Sequence, residues 1–178
     1  RALLVDQDDI WFGTEGNGLG QYNRLTKKTT FYNRENGGTN NNDIWSLAKD
    51  KDHTLWIGTD GGGLNVLKQG EKISSYYQHS EFDERSLSYN TIRSIFIEGN
   101  GNVWLGTYNG GVSYHEITAI QFQLYRKEFL NENSLCNNVV SAFTEASDGT
   151  IWVGTDGGGL HYLKGGVVHR YSFPAKLA

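Results

Sequence analysis

Four pentapeptides in this chain are close variants of one another: Ile10-Trp11-Phe12-Gly13-Thr14, Leu55-Trp56-Ile57-Gly58-Thr59, Val103-Trp104-Leu105-Gly106-Thr107 and Ile151-Trp152-Val153-Gly154-Thr155. Their tryptophans are spaced 45, 48 and 48 residues apart. A period of that size marks a chain assembled from stacked supersecondary units. Such a unit cannot bury its apolar face alone, so the fold must be an array in which each unit covers its neighbour.

The last unit parses most cleanly. Val139–Thr144 is rich in β-branched and aromatic residues and reads as strand A. Asp148-Gly149 turns the chain into strand B, Ile151–Thr155, and Asp156-Gly157-Gly158-Gly159 turns it again into strand C, Leu160–Lys164. Gly165-Gly166 leads to strand D, Val167–Phe173. The same plan predicts strand A at Ala2–Val5, Asp43–Leu47 and Thr91–Ile95, and strand D at Thr29–Tyr32, Ile73–Tyr77 and Ile120–Tyr125. The expected fold class is all-β, a β-propeller-type array of four four-stranded antiparallel blades, either part of a larger propeller or a small closed ring. The blades span 2–34, 42–79, 90–127 and 137–173 of a single segment, 1–178. A large ring on strand B can fill the wedge between twisted sheets, and the glycine two residues on permits close backbone approach. Trp11, Trp56, Trp104 and Trp152 are therefore read as structural residues of the repeat.

The stretch Asn138–Ser141 followed by Asp148–Tyr162, with Asn133-Ser134-Leu135 and Arg85-Ser86-Leu87 ahead of strand A, resembles the two-component regulator propeller repeat. The resemblance covers the whole chain. It implies a sensor propeller from the periplasmic region of hybrid two-component systems of Bacteroidetes. Full sensors of that family add further blades, an immunoglobulin-like domain, a membrane helix and a histidine kinase, and their usual signals are glycan breakdown products. The chain opens inside a repeat at Arg1-Ala2-Leu3-Leu4 and is expected to be a piece of something longer. The family's ligand residues vary, so the resemblance carries none over to this sequence.

Composition narrows the partners. A formal charge of −4, with no basic run longer than Lys27-Lys28, gives no footprint for nucleic acid. No stretch approaches the ~18 apolar residues of a membrane helix, so no membrane contact is expected of this segment. Cys136 is the single cysteine, which rules out an intrachain disulfide. His53, His79, His115, His161 and His169 lack zinc spacing, and the acidic turns Asp6–Asp9 and Asp50–Asp52 lack the later ligands of a calcium loop. Ser147–Trp152 departs in spacing from the Asp-box of sialidases. No cofactor, metal site or catalytic residue is expected.

In an up-and-down blade the D–A and B–C loops share one rim. The D–A loops are long (33–42, 79–90 and 128–137), and loops of that length are commonly functional. The residue after each Gly-Thr varies, Glu15, Asp60, Tyr108 and Asp156, and so does the start of strand A, where Trp45, Arg93 and Val140 are set as equivalents. Together with Tyr89 and the Asn-rich loop segments, these give aromatic platforms, carboxylates and an arginine, a chemistry suited to sugars. The candidate ligand-binding residues are Trp45, Asp60, Tyr89, Arg93, Tyr108 and Asp156. Turn conformation alone also favours Asn, Asp and Gly at such places. Trp45 admits two roles, filling a gap between blades or facing a ligand.

Three function classes stay open: a periplasmic sensor segment binding an oligosaccharide, a protein-interaction scaffold, and a propeller lyase or glycosidase. Its structural partners would be the remaining blades of a parent propeller or a second copy of the chain.

Overall fold

The computed structural model describes residues 2–71, 75–116, 118 and 122–173. It forms four four-stranded antiparallel sheets, each a simple meander in chain order. The first contains β1 (Leu3–Asp6), β2 (Asp9–Gly13), β3 (Leu19–Asn23) and β4 (Thr29–Tyr32). The second contains β5 (Ile44–Lys49), β6 (Leu55–Thr59), β7 (Leu64–Leu67) and β8 (Ser75–Tyr77). The third runs β9 (Ile92–Ile97), β10 (Val103–Thr107), β11 (Val112–His115), β12 (Phe122–Tyr125). The fourth runs β13 (Val140–Glu145), β14 (Ile151–Thr155), β15 (Gly159–Lys164), β16 (Val167–Arg170). The expected strand D of the fourth unit stops three residues early, at Arg170 opposite His161, with one further backbone bond from the Tyr171 N–H to Leu160 O. Ile73, Ser74, Ile120 and Gln121, expected in strand D of the middle units, lie outside the described residues.

The first strands of successive blades, β5, β9 and β13, pack against one another and form the inner edge of the array. Its core consists of three buried clusters, one per blade junction. Trp11 and Leu19 of blade 1 meet Ile44, Leu55, Ile57 and Leu67 of blade 2. Leu64 and Val66 of blade 2 meet Ile92, Val103 and Leu105 of blade 3. Trp104 and Val112 meet Val140, Ile151, Val153 and Leu163 of blade 4. Among the described residues no such cluster joins blade 4 to blade 1, so the four blades form an open arc with two uncovered end faces. On the blade 1 face Leu3 and Val5 are 72% and 59% exposed.

Each residue of the Trp-x-Gly-Thr repeat has a distinct role at these junctions. The Trp faces the next blade, and two of the indoles donate to an acid in the preceding turn: Trp56 Nε1 to Asp50 at 3.0 Å and Trp104 Nε1 to Glu98 at 2.7 Å. The Gly leaves room for the β-branched residue that opens the next strand A. A Cβ on Gly13, Gly58 or Gly106 would come within 3.0 Å of Ile44, Ile92 or Val140. The Thr hydroxyl closes the B–C turn by donating to the carbonyl four residues on, at 2.7–2.9 Å in all four blades.

The fourth A–B turn is tied by Asp148, whose carboxylate accepts the Thr150 N–H at 3.1 Å and Lys164 Nζ at 3.1 Å. Hydrogen bonding from the Thr150 side chain and backbone, then from Lys164, lowers its pKa from 3.8 to about 2. A depressed folded-state pKa stabilises the fold above the unfolded value and loses that contribution as pH falls from about 4 to about 2. An NMR titration should place the Asp148 midpoint near 2, and Lys164→Met should raise it. A midpoint near 3.8 in the native protein would disprove the turn's ion pair.

Candidate functional site

The rim that carries the D–A loops and B–C turns is knitted together by backbone contacts. Gly18, Gly63 and Gly111, closing the B–C turns of blades 1 to 3, donate to the carbonyls of Asn42, Asn90 and Asn138 just ahead of the next strand A. Those three asparagines also close their own loops: their side-chain oxygens accept the N–H groups of Arg34, His79 and Lys127. Asn41 and Asn137 accept from the backbone two residues on, and Asn40 binds Gly62 O and Asn65. The loop asparagines, whose chemistry suits sugars, are thus held in place by the backbone they fold.

Each loop is further pinned by a buried side chain of strand C. The N–H of Asn40, Ser88 and Cys136 donates to Asn65 Oδ1, Ser113 Oγ and His161 Nε2 respectively, at 3.0–3.1 Å. His161 is fully buried, and its Nε2 also lies 2.9 Å from Cys136 Sγ. Burial, assisted by the charge of Arg170, pushes the His161 pKa below its ordinary value, which keeps the imidazole neutral and able to accept. Leu87 and Leu135, from the Ser-Leu pairs of two loops, plug the junction clusters.

On this frame the inner strands carry a repeated irregularity. Ile44 pairs with Thr59 and Ser46 with Gly58, which leaves Trp45 as the extra residue of a β-bulge. Arg93 occupies the same position between Ile92 and Ser94, and Ser141 between Val140 and Ala142. The register therefore corrects one sequence assignment: Ser141, not Val140, is the counterpart of Trp45 and Arg93, while Val140 matches Ile44 and Ile92. A bulge re-aims the extra side chain away from the pleat.

Trp45, Arg93 and Tyr108 come together. The Arg93 guanidinium carbon lies 4.7 Å from the centre of the Trp45 ring and 5.6 Å from that of Tyr108. Trp45 and Arg93 are half-buried and Tyr108 is exposed. Stacking of this kind between a cation and ring faces is worth about 0.5–1 kcal/mol when exposed and more when dry. Asp60 has a structural role, since its Oδ1 accepts Thr91 Oγ1 at 2.9 Å and so bridges blade 2 to blade 3. Asp43 does the same one junction earlier, accepting the Gly16 N–H at 2.8 Å. Asp156 sits exposed on the blade 4 turn, anchored by its own N–H to Val139 O. Tyr89 is exposed beside Asn90; its counterparts Asn41 and Asn137 fold back on the backbone, which a phenol cannot do. Among the described residues neither Asp156 nor Tyr89 makes a hydrogen bond or ring contact with Arg93 or Tyr108.

Trp11 and Trp104 are buried, and Trp56 and Trp152 are half-buried. The opposite rim holds a cleft that sequence reasoning passed over, about 450 Å³ in volume, between blades 1 and 2. Asp6, Asp9, Gln21, His53, Lys68 and Glu71 line it around Trp11 and Tyr32. Lys49 Nζ binds Asp6, and His53 Nδ1 lies 3.3 Å from the same carboxylate. Burial works to raise the Asp6 pKa, but the hydrogen bonds and charges of Lys49 and His53 together override it and hold the carboxyl below its ordinary value. The alternation of acids and bases across two turns, Asp6–Asp9 and Lys49–His53, was the only signal in the sequence. Among the described residues no group of three or more His, Cys, Asp or Glu is gathered as a metal site.

The two component regulator propeller family matches the chain three times, at residues 38–61, 86–109 and 134–157. At these three stretches the chain is similar to the two-component regulator propeller repeat. Each matched stretch of the propeller repeat runs from the loop anchor through strands A and B to the turn after Gly-Thr, so it contains the bulge and the junction glycine. Among solved structures the repeats are similar to the extracellular domain of the hybrid two component system BT3049 from B. thetaiotaomicron. Identity is 29% and the TM-score 0.54, over 96% of this chain and 22% of that one. The extracellular domain of BT4673 from the same organism matches at 22% identity and TM-score 0.51, over 98% and 27%. Virginiamycin B lyase from Staphylococcus aureus superposes with TM-score 0.69 at 16% identity, over 98% and 55%, and shares the fold alone. The propeller repeats here span about a quarter of the length of the two sensor domains. No curated protein matches the sequence.

Proposed function

We propose that this chain is a ligand-sensing propeller segment from the periplasmic part of a hybrid two-component regulator, and that its signal is a glycan fragment. The blades 2–34, 42–79, 90–127 and 137–173 act as one unit of that segment. The observation that carries the reading is the meeting of Trp45, Arg93 and Tyr108 at bulges and turns on one rim, in repeats similar to those of sensor domains. Aromatic faces stack on the C–H faces of sugars, while Arg93, Asp60, Tyr89 and Asp156 supply donors and acceptors around them. The segment binds and does no bond-breaking chemistry; the kinase belongs to the parent protein. Trp45 and Arg93 come from different blades, so a ligand touching both favours one packing of the blade 2–blade 3 junction over others, which is the requirement for a signal.

Calorimetry against a panel of oligosaccharides, followed by an assay for cleavage, tests this. Binding without turnover is the expected result. Trp45→Ala should weaken binding at least tenfold, about 1.4 kcal/mol, while the melting temperature falls by only a few degrees. A large fall in melting temperature would make Trp45 a gap-filling residue.

A scaffold role is the second reading, favoured by the uncovered apolar end face at Leu3 and Val5. It predicts concentration-dependent sedimentation and no affinity for small sugars.

A further inference from the structure

Arg93 lies against two aromatic rings. Trp45 and Tyr108 lie 4.7 and 5.6 Å from its guanidinium carbon, and no carboxylate of the described residues lies within ion-pair distance of it. A guanidinium carries its N–H donors along its planar edge, where they match the two oxygens of a carboxylate. The side chain is half-buried, so part of its hydration is already lost and no internal anion replaces it. Its orientation is also fixed in advance by the bulge at Ile92–Ser94 and by the stacking, which lowers the entropy cost of binding.

The surrounding charges narrow what can approach. Asp43, Asp60 and Asp156 lie on the same rim, and Asp43 and Asp60 are fixed there by Gly16 and Thr91. A densely sulfated chain would be repelled by these carboxylates. A single carboxylate set among neutral hydroxyls would meet Arg93 alone, and its hydroxyls could donate to the aspartates.

We infer that the ligand of this rim is an acidic oligosaccharide with isolated carboxylates, a uronate- or sialate-bearing glycan, and that Arg93 takes the carboxylate edge-on while Trp45 and Tyr108 hold the guanidinium. This inference rests on the glycan-sensing reading above and specifies its ligand.

The test uses matched pairs in calorimetry at two salt concentrations: oligogalacturonate with galacto-oligosaccharide, glucuronoxylo-oligosaccharide with xylo-oligosaccharide, and sialyllactose with lactose, plus a heparin oligosaccharide. At least one acidic member should bind tenfold or more tightly than its neutral partner, with the preference shrinking as salt rises. Heparin should bind more weakly than that acidic member. Arg93→Gln should remove the preference by weakening the acidic member tenfold or more, and Arg93→Lys, which keeps the charge without the planar edge, should lose most of it. If Arg93→Gln folds poorly by circular dichroism, the Arg93→Lys comparison decides alone. Equal affinity for acidic and neutral partners overturns the carboxylate inference and leaves the glycan reading standing. Binding of no sugar at all overturns both.

Discussion

Trp104→Ala should cost about 3–5 kcal/mol, the usual range for deleting a buried aromatic side chain, and Trp152→Ala distinctly less. The two residues occupy the same place in the repeat, so the difference comes from their surroundings. Trp104 is 6% exposed, donates to Glu98, and packs 4.3 Å from the Tyr114 ring in the cluster shared with blade 4. Trp152 is half-buried and rests on Tyr162 and Tyr171 of its own blade. The acid that would hold its indole is replaced by Ala146. Because an array of repeats is stabilised by nearest-neighbour junctions, Trp104→Ala should also split denaturation into two transitions, with blade 4 melting first. Urea titration followed by fluorescence and circular dichroism reads both effects. Equal losses for the two variants would refute the assignment of Trp104 to a junction.

Gly58→Ala should cost about 2–3 kcal/mol by overpacking, whereas Gly154→Ala should stay within about 0.5 kcal/mol of the parent. Neither glycine has a positive φ, so backbone conformation is not the issue. A Cβ on Gly58 would stand 2.1 Å from Ser46 Oγ, 2.8 Å from the Ile92 carbonyl oxygen and 2.9 Å from Ile92 Cβ. The hydroxyl can rotate away, but the backbone of the next blade cannot. At Gly154 the nearest atom is Ala142 Cβ at 3.7 Å, an ordinary contact. Thermal melts of the pair make the comparison directly. A tolerated Gly58→Ala would show that the blade 2–blade 3 junction is looser than its geometry.

The array was legible in the sequence because period-2 strands, Gly-rich turns and a repeated Trp all carry the same register. Turn chemistry at Asp148-Gly149 and Asp156–Gly159 placed the hairpins. The candidate site was legible only in part. Trp45, Arg93 and Tyr108 stood out by differing between repeats, but a bulge adds one residue without any mark in the sequence. That is why Val140, a buried junction residue, was set beside two side chains of the inner rim. The asparagine-rich loops misled for a related reason, since an amide that caps a turn and an amide that binds a hydroxyl look alike until the N–H it accepts is known. Asp60 likewise combines an exposed position with a bond to Thr91 in the next blade, which no local pattern encodes.

The pinning of the loops on strand C has a consequence for how such repeats diverge. One geometric function is served here by an amide on an amide (Asn40 and Asn65), a hydroxyl on a hydroxyl (Ser88 and Ser113) and a thiol on an imidazole (Cys136 and His161). The buried member must find its acceptor or donor in the loop member, so neither can drift alone without stranding a polar group in the interior. The two positions should mutate as a linked pair in descendants of this chain, and a loop grafted from one blade to another should be accepted only when its strand C partner travels with it.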